Sequence, residues 1–190
     1  MAKRVVVLVS GAGTLLQALL DAGREGRLGP EIVAVGSDRP DAQGLTRARA
    51  ANLPVFVREV GADRAAWDAA FTQDIAAHSP DIVVSAGFMK LLGPVFLARY
   101  AGRAVNSHPA LLPSFPGAHA VRDALAAGVK VTGATVFAID AGVDTGPILA
   151  QEPVRVEPGD TEEALHERIK AVERRMLVDV LNRLETGEWT

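Results

Sequence analysis

The chain has 190 residues, of which 48% are apolar and 23% charged, and its formal net charge is −3. This length suits one folded domain, and the composition excludes a disordered chain and a strongly basic nucleic-acid-binding chain. A sequence without cysteine excludes a disulfide framework, a thiolate nucleophile and sulfur-ligated metal, and it is typical of a reducing compartment. We therefore expect a cytoplasmic single domain over residues 1–190.

Two apolar stretches need to be weighed as membrane or targeting segments. The run at 5–9 ends at Ser10, so it is too short for the apolar core of a secretory signal. The stretch at 81–100 contains Lys90 and Pro94, which interrupt it well before bilayer thickness. The sequence therefore predicts no role at a membrane.

Short runs of β-branched residues alternate with stretches of helical periodicity in the first part of the chain. Such alternation predicts a parallel sheet covered by helices, and continuous Val and Ile runs predict strands buried on both faces. We expect an α/β fold with a mostly parallel twisted sheet, a Rossmann-like amino-terminal half and helices on both faces. The predicted strands cover residues 4–9, 31–35, 54–57, 81–86, 104–106, 131–139 and 148–156.

The pattern changes after residue 130. The last two predicted strands flank the glycine-rich turn 141–146, which predicts that they pair as neighbours. A long helix then follows, with Asp160 as its predicted cap and Glu163 completing a capping box. Apolar residues from Leu165 to Val180 recur at helical spacing and predict its buried face.

A glycine-rich loop, Ser10-Gly-Ala-Gly-Thr14, joins the first predicted strand to the first helix. Unpaired backbone N–H groups at such a helix start bind anions, although the same loop also suits a simple tight turn. Leu16 takes the place of the third glycine of a dinucleotide fingerprint, and the loop has no lysine for a nucleoside triphosphate. A single phosphate is the favoured ligand.

Asn106 and His108 stand at the end of a buried-looking strand and are followed by Pro109. Residues two apart on extended chain point to one side, so these two side chains can share a space at the sheet edge where ligands bind. An amide donor next to an imidazole suits acyl transfer, because one stabilises an oxyanion and the other moves a proton. The alternative is that both side chains only satisfy backbone groups.

Asp144 lies in the turn 141–146 and is a candidate for orienting His108. Asp140 competes for that role, and ordinary turn chemistry would explain either aspartate. The sequence has neither a serine in a nucleophile elbow nor His, Asp and Glu at metal-ligand spacing. Direct transfer between two bound substrates is therefore favoured over covalent or metal catalysis.

Five segments in order along nearly the whole chain resemble the phosphoribosylglycinamide formyltransferase family, the folate-dependent enzymes of purine biosynthesis. They are SGAGTLLQAL at 10–19, DIVVSAGFMKLLGP at 81–94, AVNSHPALLPSFPG at 104–117, KVTGATVFAIDAGVDTGPILAQEPV at 130–154 and ERIKAVERR at 167–175. The resemblance implies transfer of a formyl group from 10-formyltetrahydrofolate to the amine of glycinamide ribonucleotide. It also implies a phosphate-binding half near 1–100 and a folate-binding, catalytic half near 101–190, with small-molecule partners and no metal.

Residue roles follow from the same resemblance. Asn106 is expected to polarise the formyl carbonyl, His108 to handle the proton, and Asp144 to hold His108 and a water. Leu15 and Ser107 stand where the family commonly has asparagine and an aliphatic residue, and Phe137 replaces a frequent histidine. The implied phosphate and ribose contacts are Gly13, Thr14, Leu15, Lys170 and Glu173; the implied folate contacts are Arg64, Met89, Lys90, Leu91, Leu92, Asn106, Asp140, Ala141, Gly142, Val143 and Asp144.

Several of these positions also have ordinary structural interpretations. Lys170 and Glu173 share a helix face, which is typical of a surface ion pair. The run 88–92 is typical of a plain hydrophobic core. We expect His119 at most to contact residues of the site without contacting a substrate. Monomer and homodimer are both open.

Two other functions stay open. A related enzyme of the same fold could use methionyl-tRNA or water as acceptor, but those enzymes carry an additional domain that we do not expect here, and the acidic charge disfavours tRNA. A dinucleotide-binding protein could use Gly11, Gly13 and Asp38, but Leu16 argues against it.

Overall fold

A computed structural model of the chain describes residues 1–188. Strands and helices alternate through the first half of that range, as the sequence predicts. The strands are β1 (Arg4–Val9), β2 (Glu31–Ser37), β3 (Val55–Val57), β4 (Ile82–Ser85), β5 (Ala104–His108), β6 (Val131–Ala138) and β7 (Ile148–Arg155). The helices are α1 (Thr14–Arg24), α2 (Gln43–Ala50), α3 (Arg64–Ala76), α4 (Pro94–Tyr100), α5 (Ala120–Ala126) and α6 (Glu162–Thr186).

The strands form one sheet in the order β3-β2-β1-β4-β5-β6-β7. Strands β1 to β5 pair in parallel, whereas β6 is antiparallel to both β5 and β7. The predicted mostly parallel sheet and the pairing of the last two strands are confirmed. Strand order reverses between β1 and β4, and in open α/β sheets such a reversal leaves a crevice at the carboxyl ends of the strands.

Helices cover both faces of the sheet, and each face has its own apolar core. One core packs α1, α2, α5 and α6 against the sheet, and the other packs α3 and α4. The whole run Val5–Val9 of β1 is 0% exposed, as expected for a strand covered on both sides. Because α1 and α4 lie on opposite faces, the chain leaves the ends of β1 and β4 toward opposite sides of the sheet.

Most of the predicted strands differ from the observed ones by one or two residues at an end, and two differences bear on the site and on the last helix. Strand β5 continues to His108, because pairing with β6 extends to the partners His108 and Thr135. The predicted cap of α6 at Asp160 is wrong: the cap is Thr161, whose hydroxyl accepts a hydrogen bond from the Ala164 backbone N–H. Asp160 instead accepts a hydrogen bond from the Glu157 backbone N–H and pairs with Arg168.

None of the helices in residues 1–188 is both long enough and apolar enough to cross a membrane.

Candidate active site

The end of β5 presents side chains to both faces of the sheet. Val105 belongs to the core beneath α6, whereas Ala104 belongs to the core beneath α3 and α4. By the two-residue period of a strand, Asn106 and His108 lie on the α3 and α4 side and Ser107 lies on the α6 side. The predicted common orientation of Asn106 and His108 therefore agrees with the observed strand.

His108 is 4% exposed, and its imidazole is contacted from two directions. Its Nε2 lies 2.8 Å from the carbonyl oxygen of Phe115 and its Nδ1 lies 3.5 Å from Oδ2 of Asp144. A carbonyl oxygen only accepts, so Nε2 is the donor and carries a proton. In the neutral ring with its proton on Nε2, Nδ1 is the acceptor nitrogen, and it is the one that lies next to the Asp144 carboxylate.

Asp144, rather than Asp140, is the aspartate that faces His108. Its Oδ2 also accepts a hydrogen bond of 2.7 Å from the Gly117 backbone N–H, and its backbone has the left-handed φ of 55°. Asp140 closes its own turn, because its Oδ1 accepts from the Gly142 N–H at 3.0 Å and the Thr145 hydroxyl at 2.8 Å. Of the two aspartates that the sequence left open, Asp144 is therefore the one that contacts His108.

The glycine loop places backbone N–H groups at the start of α1. Gly13 caps the helix with the left-handed φ of 69°, and a Cβ there would lie 2.6 Å from the Cα of Gly44. Glycine is therefore required both by conformation and by close packing. Leu15 is only 9% exposed, so it offers a ligand its backbone N–H and not its side chain, and Thr14 is half-buried beside it.

Arg47 of α2 supports this loop, a contact that no pattern in the sequence predicts. Its Nε donates to the Ala12 carbonyl oxygen at 2.8 Å, and its Nη1 donates to Oε1 of Gln17 at 3.0 Å. A guanidinium that spans the loop and the first turn of α1 fixes their relative position. It also brings positive charge to a helix start that already favours anions.

The loop after β4 carries apolar side chains into solvent. Met89 is 71% exposed and Leu91 64% exposed, whereas Phe88 is buried and Leu92 packs on the core beneath α3 and α4. Val143, which adjoins Asp144, is 50% exposed. The interpretation of the whole run 88–92 as plain core is therefore wrong, because its two exposed members are left for something else to cover.

A buried polar network holds the same loop. The Ser10 hydroxyl donates to Oδ1 of Asp38 at 2.5 Å and accepts from the Met89 N–H at 2.8 Å. Nζ of Lys90 lies 3.7 Å from Oδ2 of Asp38. Asp38 is 5% exposed and already engaged, which argues further against its binding the ribose of a dinucleotide.

Arg64 lies beside this loop at the start of α3. Its Nη2 donates to the Leu91 carbonyl oxygen at 2.8 Å, and its guanidinium lies 4.5 Å from the centre of the Trp67 ring. Its predicted place near the folate loop is consistent with these contacts. His119 caps α5 with an exposed side chain that makes no capping hydrogen bond, so its supporting role stays a prediction.

Glu173 is buried on α6, not on the surface. It is 4% exposed, and its Oε1 accepts a hydrogen bond of 2.6 Å from the Ser107 hydroxyl. Lys170 pairs instead with Glu167 at 2.7 Å, so the interpretation of Lys170 and Glu173 as a surface ion pair is wrong. Burial raises the pKa of Glu173, while the Ser107 hydrogen bond and the charges of Lys170 and Arg174 oppose that rise.

Across residues 1–188, no three His, Asp or Glu side chains come together as a metal site. The side chains able to move protons or stabilise charge at the end of β5 are the amide of Asn106, the imidazole of His108 and the carboxylate of Asp144. That arrangement suits transfer of an acyl group to a nucleophile.

Comparison with known proteins agrees with this chemistry. The model of a protein family described as formyl transferase matches residues 3–181. The chain belongs to the formyl transferase family. Enzymes of this family in general use formyl-folate as their co-substrate.

Relatives within this formyl transferase family are similar over nearly the whole chain. The phosphoribosylglycinamide formyltransferase of Mycobacterium tuberculosis is 58% identical over 96% of this chain and 85% of its own length. The crystal structure of glycinamide ribonucleotide transformylase 1 from Symbiobacterium toebii has 44% identity and a TM-score of 0.95, covering 98% of this chain and 89% of that one. The phosphoribosylglycinamide formyltransferase structure from Bacillus halodurans has 41% identity and a TM-score of 0.92, covering 96% and 95%.

The buried carboxylate of this formyl transferase makes its stability depend on pH. The pKa of Glu173 is raised in the folded state, so its contribution to stability is present below the ordinary glutamate pKa of about 4.3 and is lost as pH rises through the folded value. We expect Glu173→Gln to be more stable than the unmodified chain at about pH 8 and equally stable at about pH 4. Urea unfolding at the two pH values measures the difference.

Glu167→Gln is the control on the same helix. Lys170 lowers the pKa of Glu167, so this substitution should reduce stability at the higher pH, the opposite sign. A Glu173→Gln chain that is no more stable than the unmodified chain at the higher pH would contradict the raised pKa.

Proposed function

We propose that this formyltransferase transfers the formyl group of 10-formyltetrahydrofolate directly to the amino group of 5′-phosphoribosylglycinamide, in de novo purine (IMP) biosynthesis. The observation that carries the proposal is the placement of Nδ1 of His108 next to Asp144, with Asn106 on the same strand face. The similar proteins of M. tuberculosis and S. toebii, whose names specify this acceptor, support the choice of substrate.

The glycine loop and α6 suit a phosphorylated ribose. The backbone N–H groups of Gly13, Thr14 and Leu15 would hold the single phosphate, because the first-turn N–H groups of a helix have no partner within it. Helices α1 and α6 pack on the same face of the sheet. Glu173 would accept hydrogen bonds from the ribose hydroxyls, and Lys170 would add positive charge on the phosphate side.

The exposed apolar side chains of Met89, Leu91 and Val143 suit contact with the flat face of a heteroaromatic ring. A pterin ring would lie against them with one of its faces. Arg64, Lys90 and the backbone of Leu92 and of Asp140, Ala141, Gly142, Val143 and Asp144 would complete this second site. Folate would then approach Asn106 from one side of β5 and the ribonucleotide from the other.

The chemistry follows from the three groups at the end of β5. The substrate amine attacks the formyl carbon, forming a new C–N bond, and the carbonyl oxygen becomes an oxyanion that accepts a hydrogen bond from the Asn106 amide. Nδ1 of His108 takes the proton that the attacking nitrogen loses, and Asp144 stabilises the charged ring. When the old C–N bond breaks, that proton passes to the folate nitrogen, so tetrahydrofolate and the formylated amine are the products.

Formyltetrahydrofolate hydrolase is the alternative that shares these residues, with water as the acceptor. The decisive experiment is an absorbance assay of folate product formation with and without glycinamide ribonucleotide. The proposal predicts product only in the presence of the ribonucleotide. Equal rates without it would overturn the proposal in favour of the hydrolase. The cytoplasmic location, the division into two functional halves and the choice between monomer and homodimer stay predictions.

His108→Ala tests the mechanism. We expect turnover to fall about 100-fold or more, the usual contribution of a general acid or base, with no effect of a metal chelator on either protein. His78→Ala is the matched control. The His78 carbonyl oxygen accepts a hydrogen bond from Arg4 at the start of β1, so His78 lies at the amino ends of the strands and away from His108. Full activity in His108→Ala, or loss of activity on chelation, would contradict the mechanism.

A further inference from the structure

The hydrogen bond between Ser107 and Glu173 joins the catalytic strand to the opposite face of the sheet. Ser107 lies between Asn106 and His108, but its hydroxyl reaches 2.6 Å to Oε1 of Glu173, 66 positions further along the chain. Both partners are shielded, Ser107 being half-buried and Glu173 only 4% exposed. The strand that carries the proton-transfer residues therefore also contacts the carboxylate assigned to the ribose.

This contact engages only one of the two carboxylate oxygens. Among residues 1–188 no hydrogen-bond donor reaches Oε2, and Oε2 is not among the fully enclosed polar atoms without a partner. A carboxylate that is held through one oxygen has a restricted orientation, and its second oxygen stays available to an incoming hydroxyl. Glu173 belongs to α6, which packs with α1 on the sheet face where the ribonucleotide is proposed to lie.

The geometry points to Ser107 as a positioning residue for ribonucleotide recognition: its hydroxyl holds Glu173 in the orientation that accepts the ribose hydroxyls. This inference rests on the proposed function. In this arrangement the Ser107 hydroxyl is engaged by Oε1 of Glu173, so Ser107 acts on the acceptor through that carboxylate. Its effect is exerted on binding of the phosphorylated acceptor and not on the formyl transfer step.

The hydrogen bond also favours the ionised carboxylate, which is the form that accepts two hydroxyl donors. Burial raises the pKa of Glu173, and the Ser107 bond, together with Lys170 and Arg174 on the same helix, counters the rise. Without the hydroxyl, the carboxylate loses both its orientation and part of the stabilisation of its charge. Both losses weaken the contact between the Glu173 carboxylate and the ribose hydroxyls.

Steady-state kinetics of Ser107→Ala test the inference. We expect the KM for glycinamide ribonucleotide to rise about 10-fold, the size expected for one hydrogen bond to a charged group, with kcat and the KM for formylfolate nearly unchanged. Ser107→Thr keeps the hydroxyl on a residue suited to a strand and should restore the KM. Thr132→Val is the control, because it removes a buried hydroxyl of β6 that has no partner among residues 1–188.

Two further measurements distinguish a role of Ser107 in positioning Glu173 from a merely structural role. Combined with Glu173→Gln, the Ser107→Ala effect should be much smaller than on the unmodified chain, because the two residues act as one unit. The effect should also shrink with an acceptor that lacks the ribose 2′-hydroxyl. Thermal unfolding of each variant shows whether the fold is retained.

The outcomes are distinguishable. An unchanged ribonucleotide KM in a folded Ser107→Ala protein would overturn the inference alone. A fall in kcat with unchanged KM, or failure of Ser107→Thr to restore the KM, would equally overturn it. No ribonucleotide-dependent turnover by the unmodified chain would overturn the proposed function and this inference with it.

Discussion

The two-residue alternation of side chains at the end of β5 is the constraint on which the site depends. Because β5 is held between parallel β4 and antiparallel β6, its last residues stay extended as far as His108. Extended backbone sends Asn106 and His108 to one face and Ser107 to the other. One strand end can therefore serve two substrates that approach from opposite faces, with the reacting atoms meeting beyond its edge.

The groups around that strand end are oriented by contacts that leave one atom of each free. His108 donates through Nε2 to Phe115 and keeps Nδ1 for a proton, next to Asp144. Glu173 accepts the Ser107 hydroxyl on Oε1, and no donor among residues 1–188 contacts its Oε2. Such restricted orientation reduces the reorganisation needed when substrates bind, which is how a rigid scaffold contributes to catalysis.

Much of the fold is readable from the sequence, because buried parallel strands require continuous Val and Ile runs such as the one in β1. The common face of Asn106 and His108 and the glycine loop between β1 and α1 were also predictable, since both depend on local spacing. The contacts that decide between the alternative interpretations of these residues could not be predicted from the sequence. Burial of Glu173 places a charged residue beside an apolar helical stripe, and its partner Ser107 is 66 positions away. The Phe115 carbonyl is a backbone group, so no side-chain pattern reveals its contact with His108.

In the proposed reaction the formyl group passes directly between two substrates that are bound together at the end of β5. Initial-velocity measurements in which both substrate concentrations are varied test it most directly. Direct transfer requires a ternary complex, so double-reciprocal plots should give intersecting lines. Parallel lines would indicate that folate product leaves before the ribonucleotide binds, as in a covalent formyl-enzyme mechanism, and would contradict the account.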